Sequence, residues 1–313
     1  MTALYFTFFP FEHTISLGRM SPKPLEREIF MAAFTNQATL SYNNGSVNSN
    51  VVTGELIGVL SVTKNAFEDT YSMGSTVTYV VNLTNTGSTP FTDVTVTDNL
   101  GAYTSSAGQT VTPLEYVENS AKYLINGELQ ADPTAQVTGG DLVISGITVP
   151  ANGDSQILYK VTINSFAPLD VNSTIANVVT VDSGSVQRMP LTASETITVS
   201  DLPVLSIVKS MSPSVVSENG TLTYTFTVQN TGNTPAGSAD NIVITDIFDP
   251  VLTITSVTLN GAPTTDYTYE AASGTFATTA GAITVPAATF TQNADGSYTV
   301  TPGTAVLTVT GTV

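Results

Sequence analysis

The stretch LSVTKNAFEDTYSMGSTVTYVVNLTNTGSTPFTDVTVTDNLG, from Leu60, returns from Leu205 as LSIVKSMSPSVVSENGTLTYTFTVQNTGNTPAGSADNIVITDIFD. Further on, ITVPA at 147–151 recurs at 283–287, and ILYKVTI from Ile157 corresponds to AVLTVTGTV at the end of the chain. An internal repeat of this length means one architecture built twice. Two modules are expected, 58–201 and 202–313. Within each, Thr and Val alternate in short runs punctuated by Gly, Pro and Asn-Gly pairs at Asn44, Asn126 and Asn260, a strand and hairpin vocabulary. The predicted fold class is all-β, with tandem immunoglobulin-like sandwiches.

Charged residues make up 11 % of the chain, against roughly 25 % in an average soluble protein, and the net charge is -17. Phosphate backbones and anionic lipid surfaces offer such a chain no electrostatic attraction, so nucleic acid is not an expected partner. The absence of cysteine rules out a disulfide framework, Cys-bound zinc and thiol chemistry.

Residues 1–30 read differently from the rest. They hold five of the 13 Phe and the single histidine, His13, and show no alternation. The run ALYFTFF lacks a basic lead and a small-residue cleavage site and is too short to cross a bilayer, so neither a signal peptide nor membrane insertion is expected. Glu26-Arg27-Glu28 can be written in purine-rich codons resembling a bacterial ribosome-binding site, which makes Met31 a candidate start. A disordered leader is the alternative.

The second copy stops early relative to the first. After ILYKVTI the first module continues through TIANVVTVDSGSVQRMPLTASETITVSDLPV, two strands and a turn that lead into Leu205. The counterpart of this closing hairpin lies at the other end of the chain: TNQATLSYNNGSVNSNVVTGELIGV, within 31–57 and its exit, places Asn36 on Asn177 and runs straight into Leu60. Strand alternation puts Phe34, Asn36, Ala38, Leu40 and Tyr42 on one face, which is apolar enough to need burial. Each end supplies what the other lacks. The expectation is a donor strand that completes the second module of another copy, a head-to-tail contact that grows a filament. A fragment of a longer array is the alternative.

Alternation also points polar side chains inward. Lys64 shares a face with Leu60 and Val62, Asp98 with Val94 and Val96, and Asn177 with Ile175, Val179 and Val181. The second copy repeats this with Lys209 and Asp246, its Asn being Asn36 of the donor hairpin. Burying an unpaired charge costs several kcal/mol. Three arrangements answer that cost: snorkelling to water at strand ends, a plain buried ion pair, or a Lys-Asn isopeptide bond formed with loss of ammonia and assisted by the acid. The third needs no cofactor. It predicts an internal Lys64–Asn177 bond assisted by Asp98, and an intermolecular Lys209–Asn36 bond assisted by Asp246.

The LSVTK opening, the TNTGST and QNTGNT stretches and the VTD strand resemble the bacterial conserved-repeat domain once labelled domain of unknown function eleven, common in Gram-positive surface proteins. The Lys, Asp, Asn set is similar to that of isopeptide-forming pilin and adhesin domains, and the two-module layout from Met31 resembles ribbon-appendage subunits of bacterial spores. These resemblances imply a structural fibre subunit on a cell or spore surface, with copies of itself as partner. In a spore, release from a mother cell would need no export signal. The chain has no GxSxG motif and no phosphate-cradling glycine loop, so an enzyme is not expected. NADGS at 293–297 is part of a calcium-loop pattern without the remaining ligands, and an Asp-Gly hairpin turn fits it better. No metal or cofactor is expected. With no Trp, a carbohydrate-binding platform is disfavoured.

Overall fold

The computed structural model describes residues 31–57, 59–183 and 191–313, with side-chain surroundings for 35–54, 59–183 and 191–313. The leader expected at 1–30 lies outside the described residues. The protein is all-β: immunoglobulin-like sandwich architecture preceded by an N-terminal hairpin. The described residues divide into two compact units, one within 1–57 and the other within 58–313.

In the first unit, β1 (Met31–Asn36) pairs antiparallel with β4 (Val52–Ile57), and β2 (Thr39–Tyr42) with β3 (Gly45–Asn48). Asn36 lies opposite Val52, and Leu40 opposite Val47. Between the two ladders Ser49 N–H donates to the Ala38 carbonyl at 2.8 Å. An extra residue on the returning side keeps Val47 and Val52 on the face shared by Asn36, Ala38, Leu40 and Tyr42. The turn is Asn43-Asn44, one residue earlier than the Asn44-Gly45 expected. Gly45 instead sits opposite Tyr42, where a Cβ would lie 3.3 Å from the Tyr42 hydroxyl, so its lack of a side chain makes room for that ring.

From Leu60 onward the chain forms β5 (Leu60–Ala66), β6 (Thr70–Tyr71), β7 (Thr76–Asn85), β8 (Phe91–Asp98), β9 (Tyr103–Thr104), β10 (Thr110–Val111), β11 (Leu114–Tyr116), β12 (Lys122–Ile125), β13 (Glu128–Leu129), β14 (Thr134–Thr138), β15 (Asp141–Val149), β16 (Gly153–Ile163), β17 (Thr174–Asp182) and β18 (Leu191–Val199). One sheet runs β13-β12-β16-β7-β5, with β11 also on β16, and the other β14-β15-β8-β17-β18-β6. The alternation read from sequence holds in β7, where Val77, Tyr79, Val81 and Leu83 are buried and the intervening residues face outward. Asn126-Gly127 forms the expected two-residue turn between paired Ile125 and Glu128. The closing hairpin β17–β18 pairs with β8 on one side, and β18 packs over β5.

The remaining strands are β19 (Leu205–Ser212), β20 (Thr221–Asn230), β21 (Thr245–Ile247), β22 (Thr253–Leu259), β23 (Ala262–Pro263), β24 (Tyr267–Glu270), β25 (Thr275–Thr278), β26 (Thr289–Gln292), β27 (Tyr298–Thr301) and β28 (Gly303–Thr312). A five-stranded sheet β19-β20-β28-β22-β23 faces a three-stranded one, β21-β25-β24, over a core containing Tyr224, Phe226, Phe248, Phe276 and Leu307.

The recurring motifs meet in space. Asn85 of the NTG signature donates through Nδ2 to the Thr89 and Pro150 carbonyls at 2.8 and 3.0 Å, and Asn230 donates to those of Thr234 and Pro286 at the same distances. Each Oδ1 accepts a backbone N–H two residues on, from Gly87 or Gly232. NTG and ITVPA are thus two halves of one buried clasp, made once in each repeat.

NADGS forms the tip of the β26–β27 hairpin, closed by Asn293 N–H donating to Ser297 O at 2.7 Å. Phe290 and Val300 from this hairpin pack on the core of the first repeat. Tyr298 N–H donates to Ser165 O, Gln292 Oε1 accepts Ser106 N–H at 2.9 Å, and Gln292 Nε2 donates to the Tyr103 hydroxyl at 3.1 Å. The hairpin braces the two repeats against each other.

Candidate functional site

Lys64, on β5, is held beneath the closing hairpin, and its side chain has no exposure. It does not snorkel. Its Nζ forms an ion pair with Asp98 Oδ2 at the end of β8. The Tyr159 hydroxyl on β16 donates to the same oxygen, while Asp98 Oδ1 accepts Leu100 N–H at 2.7 Å. Val179 pairs with Asp98, so Asn177, two residues before it on β17, shares the inward face one pleat along. Lys64, Asp98 and Asn177 are all buried, at 3 %, 0 % and 0 % exposure.

The surroundings are aromatic and closed to solvent. Lys64 Nζ lies 4.5 Å from the Tyr79 ring centroid and 5.8 Å from that of Tyr159, and the two rings stack at 5.9 Å. Burial pulls the Lys64 ammonium down to about 8; the charge and hydrogen bond of Asp98 and the charge of Glu195 oppose it less strongly. Burial also raises the hydroxyls of Tyr79 and Tyr159 above the ordinary tyrosine value, with the Asp98 charge adding to it. Asn177 Oδ1 accepts Gly101 N–H at 3.2 Å. Among the described residues, Asn177 Nδ2 and the Tyr79 hydroxyl are buried and make no hydrogen bond of ordinary geometry; the amide approaches the hydroxyls of Tyr79 and Tyr159. A buried donor left wholly unpaired costs about 1–3 kcal/mol, so with only these poorly aligned tyrosine hydroxyls beside it the amide nitrogen is weakly held.

A partly neutral amine, a carboxyl group and a carboxamide in a water-poor cluster are the groups that amide exchange requires. Attack of the amine on Asn177 Cγ would expel that nitrogen as ammonia, and holding amine and carboxamide in one buried cluster around Tyr79 would supply much of the rate.

The second repeat carries the same pair in a different state. Lys209 Nζ meets Asp246 Oδ2, and the ammonium sits over Tyr224, Phe226 and Phe248, with 4.3 Å to the Tyr224 centroid. The Lys209 side chain is 40 % exposed, however, and the Asp246 side chain 17 %. β19 is exposed along its whole length, including Leu205, Ile207 and Met211, which share the Lys209 face. Among the described residues, β21, the counterpart of β8, pairs on one side only, with β25.

In the first unit, Asn36, Ala38, Leu40 and Tyr42 are exposed, Leu40 at 65 % and Tyr42 at 58 %. Phe34 lies in β1, but its side-chain surroundings fall outside the described residues.

Sequence reading missed Tyr79, Tyr159 and Gly101. The tyrosines occupy inward positions of TVTYVV and ILYKV, so alternation could have placed them. Tyr159 is unmatched in the repeat, because Val309 takes its place opposite Tyr224.

No family model and no curated relative matches the chain. Among solved structures, it is similar to the full-length major pilin SpaD of Corynebacterium diphtheriae, with 11 % identity and a TM-score of 0.34, covering 51 % of this chain and 37 % of that one. It is also similar to the T6 backbone pilin of serotype M6 Streptococcus pyogenes, at 12 % and 0.33, covering 85 % and 76 %, and to BcpA, the major pilin subunit of Bacillus cereus, at 10 % and 0.31, covering 87 % and 73 %. The chain therefore spans well under half of SpaD. Scores this low carry no inference about activity, which leaves the geometry of the two repeats as the guide to function. Among the described residues, no helix is long and apolar enough to cross a membrane.

Proposed function

We propose that the protein is a structural subunit that polymerises head to tail on a cell or spore surface, the hairpin of residues 31–57 in one copy completing the module 202–313 of the next. The contrast between β5, covered by its own closing hairpin, and β19, exposed along an apolar face, carries this reading. The hairpin β1–β4 offers a complementary face bearing Leu40, Tyr42, Val47 and Val52, all more than half exposed. Each large apolar side chain that becomes fully buried on docking contributes about 1.5–3 kcal/mol. In the docked state Asn36 would join Lys209 and Asp246 as Asn177 joins Lys64 and Asp98, and a Lys-Asn bond would lock the joint.

Electron microscopy of the purified chain tests the assembly. Filaments from the full chain and none from a chain lacking 31–57 are expected, and filaments from the shortened chain would refute donor-strand growth. Tandem clasps of the Asn85 and Asn230 type also suit a stalk with further modules. A full chain that stays monomeric by light scattering selects that reading.

A further inference from the structure

We infer that the backbone N–H of Gly101 is an oxyanion donor for Lys64–Asn177 condensation, an inference that rests on the isopeptide reading of the first site. Gly101 lies in the turn that leaves β8 just after Asp98. Its N–H is shared between two oxygens, Asn99 Oδ1 at 3.1 Å and Asn177 Oδ1 at 3.2 Å. The turn is pinned from both sides: Asp98 Oδ1 takes Leu100 N–H, and Asn99 Oδ1 also takes Val178 N–H at 2.9 Å. Gly101 has φ +68°, and a Cβ there would fall 2.6 Å from Ile175 Cγ2 and 3.2 Å from Pro113 Cγ. Only glycine lets this amide come so close to the carboxamide while keeping that backbone conformation.

The chemistry gives the shared donor a use. The Nζ lone pair of neutral Lys64 attacks Asn177 Cγ, and the carbonyl π pair moves onto Oδ1. A proton passes from Nζ to Nδ2 by way of Asp98. The carbonyl then re-forms as the Cγ–Nδ2 bond breaks, and ammonia leaves. One amide is made and one lost, with no change in oxidation state. In the ground state Gly101 divides its N–H between two neutral oxygens. Once Oδ1 carries negative charge it accepts roughly twice as strongly as a neutral acceptor, so the donor shifts towards Asn177 when the barrier is crossed. An interaction that strengthens only then accelerates the step.

The test is bond formation during refolding of the full chain, followed by mass as the loss of one ammonia within a peptide pair containing Lys64 and Asn177. Gly101→Ala is compared with Gly146→Ala, which also has positive φ but open space around its Cβ position. Gly101→Ala is expected to slow the bond by about 100-fold or more, the cost of losing one oxyanion donor, while Gly146→Ala keeps the wild-type rate. Equal rates in the two variants overturn the inference. If Gly101→Ala does not fold, the native backbone is probed in Lys64→Met, which cannot react. A through-hydrogen-bond coupling between Gly101 15N and Asn177 13Cγ is expected there by NMR, and its absence also overturns the inference. Wild-type protein that never loses ammonia from Lys64 and Asn177 refutes the bond itself, an outcome distinct from a bond that forms without help from Gly101.

Discussion

β5 and β19 begin the two repeats with nearly the same sequence, LSVTK and LSIVK, yet Leu60 is 4 % exposed and Leu205 41 %. The strands themselves do not explain the difference; what lies across them does. β18 covers β5, and β17 gives the last four residues of β8, Thr95–Asp98, a second ladder partner opposite β15, which pairs with β8 from Phe91 to Asp98. The counterpart of β8 in the second repeat keeps strand geometry only over Thr245–Ile247. A backbone paired on both sides is fixed by tertiary hydrogen bonds, whereas one paired on a single side leaves groups to water. Burial of Lys64, and with it the downward pull on its ionisation, is therefore produced by the closing hairpin.

The strongest way to break this comparison is to remove the intermolecular bond alone. Filaments boiled in detergent should run as a covalent ladder; Lys209→Ala or Asn36→Ala should collapse it to monomer, whereas Asn177→Ala should leave it intact. A monomer band from boiled wild-type filaments refutes the intermolecular chemistry and leaves strand exchange standing.

The internal bond gives the next largest effect. A cross-link from Lys64 to Asn177 closes a long loop, and by analogy with disulfides of similar loop length it contributes about 4–5 kcal/mol. Asn177→Ala should lower the denaturation midpoint of the first repeat by a corresponding amount in guanidinium titrations and abolish its ammonia loss. An unchanged midpoint would show that the bond contributes nothing there.

The clasps should respond alike. Asn85→Ala and Asn230→Ala each strand buried carbonyls and should each cost about 2–3 kcal/mol, read by thermal unfolding. A clear inequality would mean that the second clasp is weakened by the exposure of β19 beside it.

Smallest is the pH dependence. With the Lys64 amine pulled down to about 8, only the neutral fraction attacks, so bond formation on refolding should rise about tenfold per pH unit below that value and level off above it. A rate flat between pH 6 and 8 would show that deprotonation is not limiting.

The inward alternation of Lys64, Asp98 and Asn177 was legible because a strand reverses side-chain direction at every residue, a rule that needs no knowledge of partners. The Asn126-Gly127 and Asn260-Gly261 turns were legible because they depend only on local backbone preference. Asn44-Gly45 misled because Gly45 answers to the Tyr42 ring opposite it in the hairpin, a packing demand that turn preference does not report. Gly101 was hidden for a related reason: DNLG aligns with DIFD in the second copy, and the closeness of its amide to Asn177 arises only when β17 docks on β8. The role of β26–β27 was also invisible, since its turn chemistry reports a hairpin and not the surface that hairpin rests on.

That hairpin has a mechanical consequence. The first repeat joins the equivalent strands, β15 and β16, through Pro150 to Asn152 alone, and so has no counterpart of this hairpin there. In a fibre grown head to tail, every joint within a molecule carries the Phe290 and Val300 buttress, and every joint between molecules lacks it. Such a fibre is a chain of stiff links whose bending is confined to every second joint, the same joints at which Lys209 and Asn36 would bear the tension.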